Sequence, residues 1–314
     1  MKKIVYNLEP KDYSFTAIKK WEESGYSYIE GSWNSCFSFK DFLLVEILIV
    51  RLGGVVGKEL IDFFPNLRTV LSATTGQNHL DKDAISRKKV KLITLRGHNK
   101  FLETIPSTAE LTWGLILNLF RKIHSSNNDV KLGNWNRENF KGYQLCNKKI
   151  GIVGLGRIGK KVAKYALAFD MEVFYYDPNV FDDSYSKMEN IEDLVSSVDL
   201  ITIHIHSDLS NYNFFNKKLI SKIKKGTAIV NTSRGEVWDE LYIVKALKNN
   251  QLSAVATDVI NDETLSHTKS PIWESRFENN MLVTPHIGGA SFDAMWECEE
   301  YIQKLFFFDK KTIS

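Results

Sequence analysis

An α/β protein built on mostly parallel, doubly wound sheet is what this sequence predicts, and three observations predict it. Short apolar runs alternate with helically periodic segments along most of the 314 residues, the pattern of strands joined by crossover helices that cover both faces of a sheet. One of these units carries a glycine-rich turn between its strand and its helix. The strands of the second half then end, one after another, on polar residues suited to binding. A hydrophobic content of 43% with 25% charged residues is ordinary for a globular chain, and the length is enough for two domains of usual size.

In the first third, residues 43–50, 68–72 and 90–95 are the strand candidates, with helical or turn segments between them. Residues 42–50 are the most apolar stretch, but Glu46 interrupts them and Arg51 closes them. They suit a buried strand and are too short to span a bilayer. Ser107-Thr108-Ala109-Glu110 has the spacing of a capping box and opens a long apolar helix through Leu119. Residues 124–143 are polar, carry Gly133, Trp135 and Arg137, and are too long for a plain connection. They are expected to pack on something, another subunit included.

The glycine turn lies in KKIGIVGLGRIGKKVAKYALAFDMEVFYYD, residues 148–177. Lys149 to Val153 reads as a buried strand, and after Gly154, Gly156 and Gly159 the apolar positions recur at helical spacing. A second strand follows and ends on Asp177. That order is what a bound pyrophosphate needs. Gly154 permits the tight turn, Gly156 lets backbone N–H groups reach the phosphates, and Gly159 lets the helix lie close to the strand. Asp177 falls about 20 residues on, where a carboxylate accepts hydrogen bonds from the adenosine ribose. An ordinary turn leading into a core helix is the plainer alternative, and the acid at the second strand's end weighs against it. The same charge would repel a 2′-phosphate, so NAD is expected over NADP.

Further strands end at one rim. Residues 200–205 end on His206, 227–230 run into Asn231-Thr232-Ser233-Arg234-Gly235, 254–257 end on Asp258, and 281–283 run into Thr284-Pro285-His286. In an open α/β sheet, ligands bind outside the carboxyl ends of the strands. Hydride transfer to a nicotinamide at such a rim needs a grip on an anionic carbonyl compound, a proton source, and a group to orient that source. Arg234 suits the first, because a guanidinium holds a carboxylate bidentately. His286 suits the second. Glu263 can fill the third, fixing the imidazole tautomer and favouring its charged form. Each has a plainer reading as a surface charge or a solvated loop residue. His204 and His206 suit an adenine-lining or strand-capping role better than catalysis. No metal is expected.

Composition narrows the partners. A net charge of +3 over this length gives no nucleic-acid footprint, and the lysines from Lys217 to Lys225 alternate with Leu219, Ile220 and Ile223 as on a solvated helix face. Cys36, Cys146 and Cys298 are odd in number and widely spaced, which argues against a disulfide framework and fits a reducing cytoplasm. Asn7, Glu9 and Pro10 interrupt the N-terminus before any signal-peptide core develops. No membrane span, low-complexity tract or short repeat is read.

GIVGLGRIGKKV, NTSRGEVWD, ATDVINDETL and VTPHIGGAS, in this order and spacing, resemble the motifs of the D-isomer-specific 2-hydroxyacid dehydrogenase family in its phosphoglycerate-dehydrogenase-like branch. The resemblance runs from about Val45 to the C-terminus and takes in TTGQNHLD (74–81), residues 107–123 and Gly133-x-Trp135-x-Arg137. It implies two Rossmann-like domains, with a discontinuous substrate domain at 1–105 and 288–314 around an NAD-binding domain at 106–287. It implies catalysis by Arg234, Glu263 and His286, with His286 giving the proton in reduction. NAD contacts are implied for the glycine turn (Gly154, Gly156, Arg157, Ile158, Gly159), for Asp177, Thr232, Ser233, Arg234 and Asp258, for His286, Gly288 and Gly289, and for Thr112.

The implied substrate is a small 2-oxo or 2-hydroxy acid of phosphoglycerate, glycerate or glycolate type, bound by Arg234. Arg51 aligns with a position that contacts substrate phosphate in phosphoglycerate dehydrogenases, and Thr75-Gly76-Gln77 forms a turn whose N–H groups suit an anion. A homodimer through residues 107–143 is also implied. The sequence departs from the family around substrate and adenine: TLRGHNKFLETIP keeps Gly97 but is otherwise rearranged, Leu52-Gly53-Gly54 lacks the usual polar side chains, and His206 stands where proline is common. The first forty residues match nothing familiar, and the chain ends near the end of the catalytic unit, so no C-terminal regulatory domain is expected. The competing reading is a non-catalytic NAD-sensing protein on the same fold, like the corepressors that share it. A nucleoside-sugar or methyl-transfer enzyme ranks third, since neither needs the Arg–Glu–His set.

Overall fold

The computed structural model describes residues 2–278 and 280–313. The chain divides into two compact units, Met1–Ile105 with Ala290–Ser314, and Pro106–Gly289. Each is built on one fully parallel sheet.

The first unit holds β1 (Ile4–Asn7), β2 (Ser27–Glu30), β3 (Val45–Val50), β4 (Thr69–Ser72) and β5 (Lys91–Thr94), in the order β2-β1-β3-β4-β5. β1 and β4 are buried at every position and β3 at five of six, so their apolar runs are the mark of a sheet covered on both faces. One cover is the N-terminal helix Phe15–Glu23 with the C-terminal helix Phe292–Ile313, whose Cys298, Ile302 and Phe306 pack with Trp21, Ile47, Ile49 and Leu71. The chain's two ends therefore build a single core. Segment 68–72 expected from the sequence loses Arg68, and 43–50 loses its first two residues to a short 3₁₀ turn, since Leu43 points to solvent at 54% exposure.

The second unit holds β6 (Lys149–Val153), β7 (Glu172–Tyr176), β8 (Ser186–Lys187), β9 (Leu200–Ile203), β10 (Thr227–Asn231), β11 (Leu252–Thr257) and β12 (Met281–Val283). Their order is β12-β11-β10-β9-β6-β7-β8. The sheet grows outward from β6 in both directions, so its topological reversal lies between β6 and β9. One face is covered by helices Ser107–Arg121 and Arg157–Ala168, through Trp113, Ile116, Val162 and Ala166. The other is covered by helices Ile191–Ser197, Lys217–Ile220 and Glu240–Lys248, with Trp238 fully buried among them.

The capping box expected at Ser107 does not form. Pro106 takes the N-cap position without a side-chain cap bond, and Ser107 Oγ donates instead to the Gly288 carbonyl at 2.6 Å. Residues 124–143 are not one polar connection: helix Ile123–Lys131 and a 3₁₀ turn Arg137–Phe140 occupy most of them. Leu132 and Trp135 there are 81% and 90% exposed. No helix among the described residues is long and apolar enough to cross a membrane.

Candidate active site

The candidate site lies in the second unit, at the carboxyl ends of β6, β7, β10, β11 and β12. At the head of β6, Gly154 adopts φ +90°, and a Cβ there would lie 2.9 Å from the His204 carbonyl oxygen. Glycine is therefore required both by backbone conformation and by space. A Cβ at Gly159 would sit 2.1 Å from the Gly154 carbonyl oxygen, so this residue lets the helix close on the turn. Gly156 differs. It caps helix Arg157–Ala168, is exposed, and a Cβ there would meet nothing within 4 Å. No protein atom requires glycine at 156, which is what a site kept clear for a closely approaching ligand looks like. Arg157 and Ile158 begin the helix, both half-buried.

Asp177, at the head of β7, is almost buried and tied to that turn. Its Oδ2 accepts from Leu155 N at 2.8 Å, and its Oδ1 accepts from Asn179 N at 2.9 Å and Val180 N at 3.1 Å. The acid thus fixes the glycine turn from the neighbouring strand, a role that spacing alone did not reveal. At the head of β9, both ring nitrogens of His204 are shielded and without a hydrogen-bond partner, and burial pushes its pKa down to about 3. His206 beyond it is exposed.

Asn231 folds the turn that follows β10. Its side-chain oxygen accepts from Ser233 N at 3.0 Å and Ser233 Oγ at 2.8 Å, while its amide donates to the Arg234 carbonyl at 2.9 Å. Thr232 Oγ1 lies 2.8 Å from Thr112 Oγ1 on helix Ser107–Arg121. Arg234, in extended backbone and half-buried, donates to the Ser233 carbonyl at 2.6 Å. At Gly235 a Cβ would lie 2.2 Å from the Ile260 carbonyl carbon, so the arginine turn packs directly on the loop leading to Glu263.

Asp258, at the end of β11, is 1% exposed, and burial raises its pKa despite the bonds it accepts. Its Oδ1 accepts from Thr284 Oγ1 at 2.6 Å and Ile287 N at 2.8 Å, and its Oδ2 from Gly288 N at 2.7 Å. One carboxylate thereby pins the whole histidine loop, while Ser107 and Thr108 hydroxyls donate to the Gly288 carbonyl. Gly289, next in the chain, is exposed with open space at its Cα. Within this loop His286 takes φ +53°, a left-handed conformation uncommon outside glycine, and its N–H donates to the Asp258 and Thr284 carbonyls. His286 Nδ1 bonds to Glu263 Oε1, with the two side chains 23% and 30% exposed. Strain at a half-buried histidine held by a carboxylate is the kind that clusters at reactive sites.

Residues 113–288 match the family model described as D-isomer specific 2-hydroxyacid dehydrogenase, NAD binding domain. The chain belongs to the D-isomer-specific 2-hydroxyacid dehydrogenase family. A D-3-phosphoglycerate dehydrogenase of Bacillus subtilis is 32% identical over 255 residues, which are 79% of this chain and 46% of that protein. A hydroxypyruvate reductase of Thermotoga maritima is 31% identical over 268 residues, 83% of this chain and 84% of that one. This chain spans about half the length of the curated phosphoglycerate dehydrogenases it matches. Among solved structures, an NAD-dependent formate dehydrogenase of Staphylococcus aureus in complex with NAD superimposes with TM-score 0.80 at 27% identity, covering 98% of this chain and 96% of that one.

One expectation within the first unit changes. Arg51 was expected to hold an acidic group of the substrate, but its guanidinium is committed to the buried Glu299 carboxylate and to the Lys11 carbonyl, at 3.1 Å for the latter. At 74–77 the Thr74 hydroxyl donates to the Gly76 carbonyl at 2.9 Å and the Gln77 amide to Thr94 Oγ1 at 2.9 Å, while Thr75 at the tip is exposed. Sequence reasoning also missed Glu240. It is 3% exposed, accepts from Asn261 N at 2.7 Å and Ser270 Oγ at 2.6 Å, and so brackets the segment that carries Glu263. Its place at the first turn of a helix, after the capping Asp239, gave no signal of that role.

Proposed function

We propose that this chain is an NAD-dependent oxidoreductase moving a hydride between NAD(H) and a small D-2-hydroxy acid or its 2-oxo acid. The observation that carries the reading is the His286–Glu263 pair on a strained loop at the same sheet rim as Arg234. The glycine turn fits the cofactor, because Gly156 is unobstructed while Gly154 and Gly159 allow no side chain. When bound, the nicotinamide supplies or accepts the hydride.

The protein's own part follows from its bonds. Glu263 occupies Nδ1 of His286, which leaves Nε2 as the atom that gives the carbonyl oxygen its proton in reduction and takes it back in oxidation. Arg234 grips the substrate carboxylate and polarises the carbonyl beside it. Asp258 holds the histidine loop in place, and Thr112, Thr232 and Ser233 line the approach to it. The first unit serves as the substrate domain. The exposed Leu132 and Trp135, with Ile123, Val130 and Tyr143, fit a homodimer contact through residues 107–143. Three free cysteines suit a reducing cytoplasm.

Following NADH oxidation with a panel of 2-oxo acids, including hydroxypyruvate, phosphohydroxypyruvate and glyoxylate, tests the reading. Turnover of at least one is expected. NADH binding without turnover of any would turn the assignment to a nucleotide-sensing protein.

A further inference from the structure

We propose that the crevice at the head of the first unit's sheet takes a neutral or cationic polar group and turns away a second anion, so that the substrate carries one acidic group only. This rests on the dehydrogenase reading above and on the first unit being the part that selects the substrate.

The strand order β2-β1-β3-β4-β5 reverses between β1 and β3, and in open parallel sheets ligands lodge outside the carboxyl ends at that reversal. A crevice of about 650 Å³ lies there, lined by residues 8–12, 30–32 and Arg51. After β3 the successive N–H groups of Arg51, Leu52 and Gly53 form a concavity of the sort that binds carboxylates and phosphates. This chain fills it with its own side chain. Glu9 Oε2 accepts from Arg51 N at 2.5 Å, and Oε1 accepts from Leu52 N at 3.2 Å and Gly53 N at 2.8 Å. A Cβ at Gly53 would come within 2.8 Å of Glu9 Oε1, so the backbone there is shaped to the carboxylate. Glu9 is itself set by the fully buried Asn7, whose side-chain oxygen accepts from Glu9 N at 2.9 Å and whose amide donates to Tyr28 Oη at 2.8 Å.

The nearest guanidinium offers no substitute, because Arg51 is neutralised by Glu299. Of the charged side chains lining the crevice, Glu9, Asp12 and Glu30 are acidic, against Lys11 and that paired arginine. A phosphate entering here would meet occupied N–H donors and like charge, whereas a hydroxyl or an amine would meet acceptors.

The experiment compares hydroxypyruvate with phosphohydroxypyruvate in NADH oxidation by wild type and Glu9→Ala. Wild type should favour hydroxypyruvate in kcat/KM by roughly a hundredfold, and Glu9→Ala should shrink that ratio by about tenfold or more. A preference for the phosphorylated compound, or an unchanged ratio in the variant, would overturn the proposal. A second readout needs no turnover: thermal unfolding with and without millimolar inorganic phosphate. Phosphate should raise the midpoint of Glu9→Ala more than that of wild type, and equal shifts would overturn the vacated-nest argument. Should no 2-oxo acid of the panel be reduced, the dehydrogenase reading fails while the phosphate comparison still decides this one. Glu9→Gln, which removes the charge but keeps an acceptor, replaces the alanine variant if that variant does not fold.

Discussion

The two sheets treat a ligand in opposite ways beside their topological reversals. At the head of β6 the chain keeps the space above Gly156 clear and lets no side chain intrude at Gly154 or Gly159. At the head of β3, across the first unit's own reversal, the backbone donors are capped from within by Glu9, and the cation beside them is cancelled by Glu299. One edge is built to receive negative charge and the other already contains it. The lesson is that parallel-sheet topology fixes where a site lies, while a single side chain decides what may enter it.

The largest effect is expected at the open edge. His286→Asn should lower kcat by on the order of 10²–10⁴, the usual contribution of a general acid, with NADH affinity measured by fluorescence titration nearly unchanged. Retained activity would remove the histidine from the chemistry. At the closed edge, Arg51→Ala should act on stability rather than on substrate affinity. It leaves Glu299, 1% exposed, with Ser14 N at 2.8 Å as its remaining backbone donor and costs about 3 kcal/mol in denaturant unfolding. A raised KM at unchanged stability would show the arginine facing substrate after all.

Gly156→Ala separates ligand binding from folding. Its added methyl meets no protein atom, so stability should hold while NADH affinity falls about tenfold, near 1.4 kcal/mol. Loss of stability instead would mean the turn is closed in solution. The smallest effect, under about 1 kcal/mol between neutral pH and about pH 6, concerns His204. Its folded pKa of about 3 lies below the ordinary value of 6.5, so the unfolded chain takes up a proton that the native one refuses. That stability is intact above 6.5 and lost as pH falls from there toward 3, at up to about 1.4 kcal/mol per unit. Urea midpoints at neutral and mildly acidic pH should therefore diverge less in His204→Leu than in wild type, and parallel acid losses would contradict this.

How much was legible in the sequence follows the same division. All the second unit's strands but β8 lead into a residue with chemistry, and its glycines stand at local spacings, so Gly154, Gly159, Asp177, Arg234 and His286 could be read in place. The first unit is held by contacts far apart in the chain. Glu9 meets Arg51–Gly53 across some forty residues, and Arg51 meets Glu299 across 248. Its strands β1 and β2 are four residues each, too short for periodicity to reveal. Ser107 was misread because a capping pattern records local preference, whereas the Gly288 carbonyl offered its hydroxyl a better-placed acceptor. Asn231 and Asp258 were legible as rim residues, but not as the staples of their own loops.

The left-handed backbone of His286 bears on how this position can change over time and in the laboratory. Asparagine, aspartate and glycine tolerate φ near +53°, so they test the imidazole without disturbing the loop. Valine or isoleucine would add backbone strain to the lost chemistry, and their inactivity would say little about proton transfer. Drift at this site is channelled the same way. A lineage that abandons catalysis and keeps the nucleotide meets its least costly replacement in asparagine, which leaves the Asp258 clamp and the glycine turn as they are.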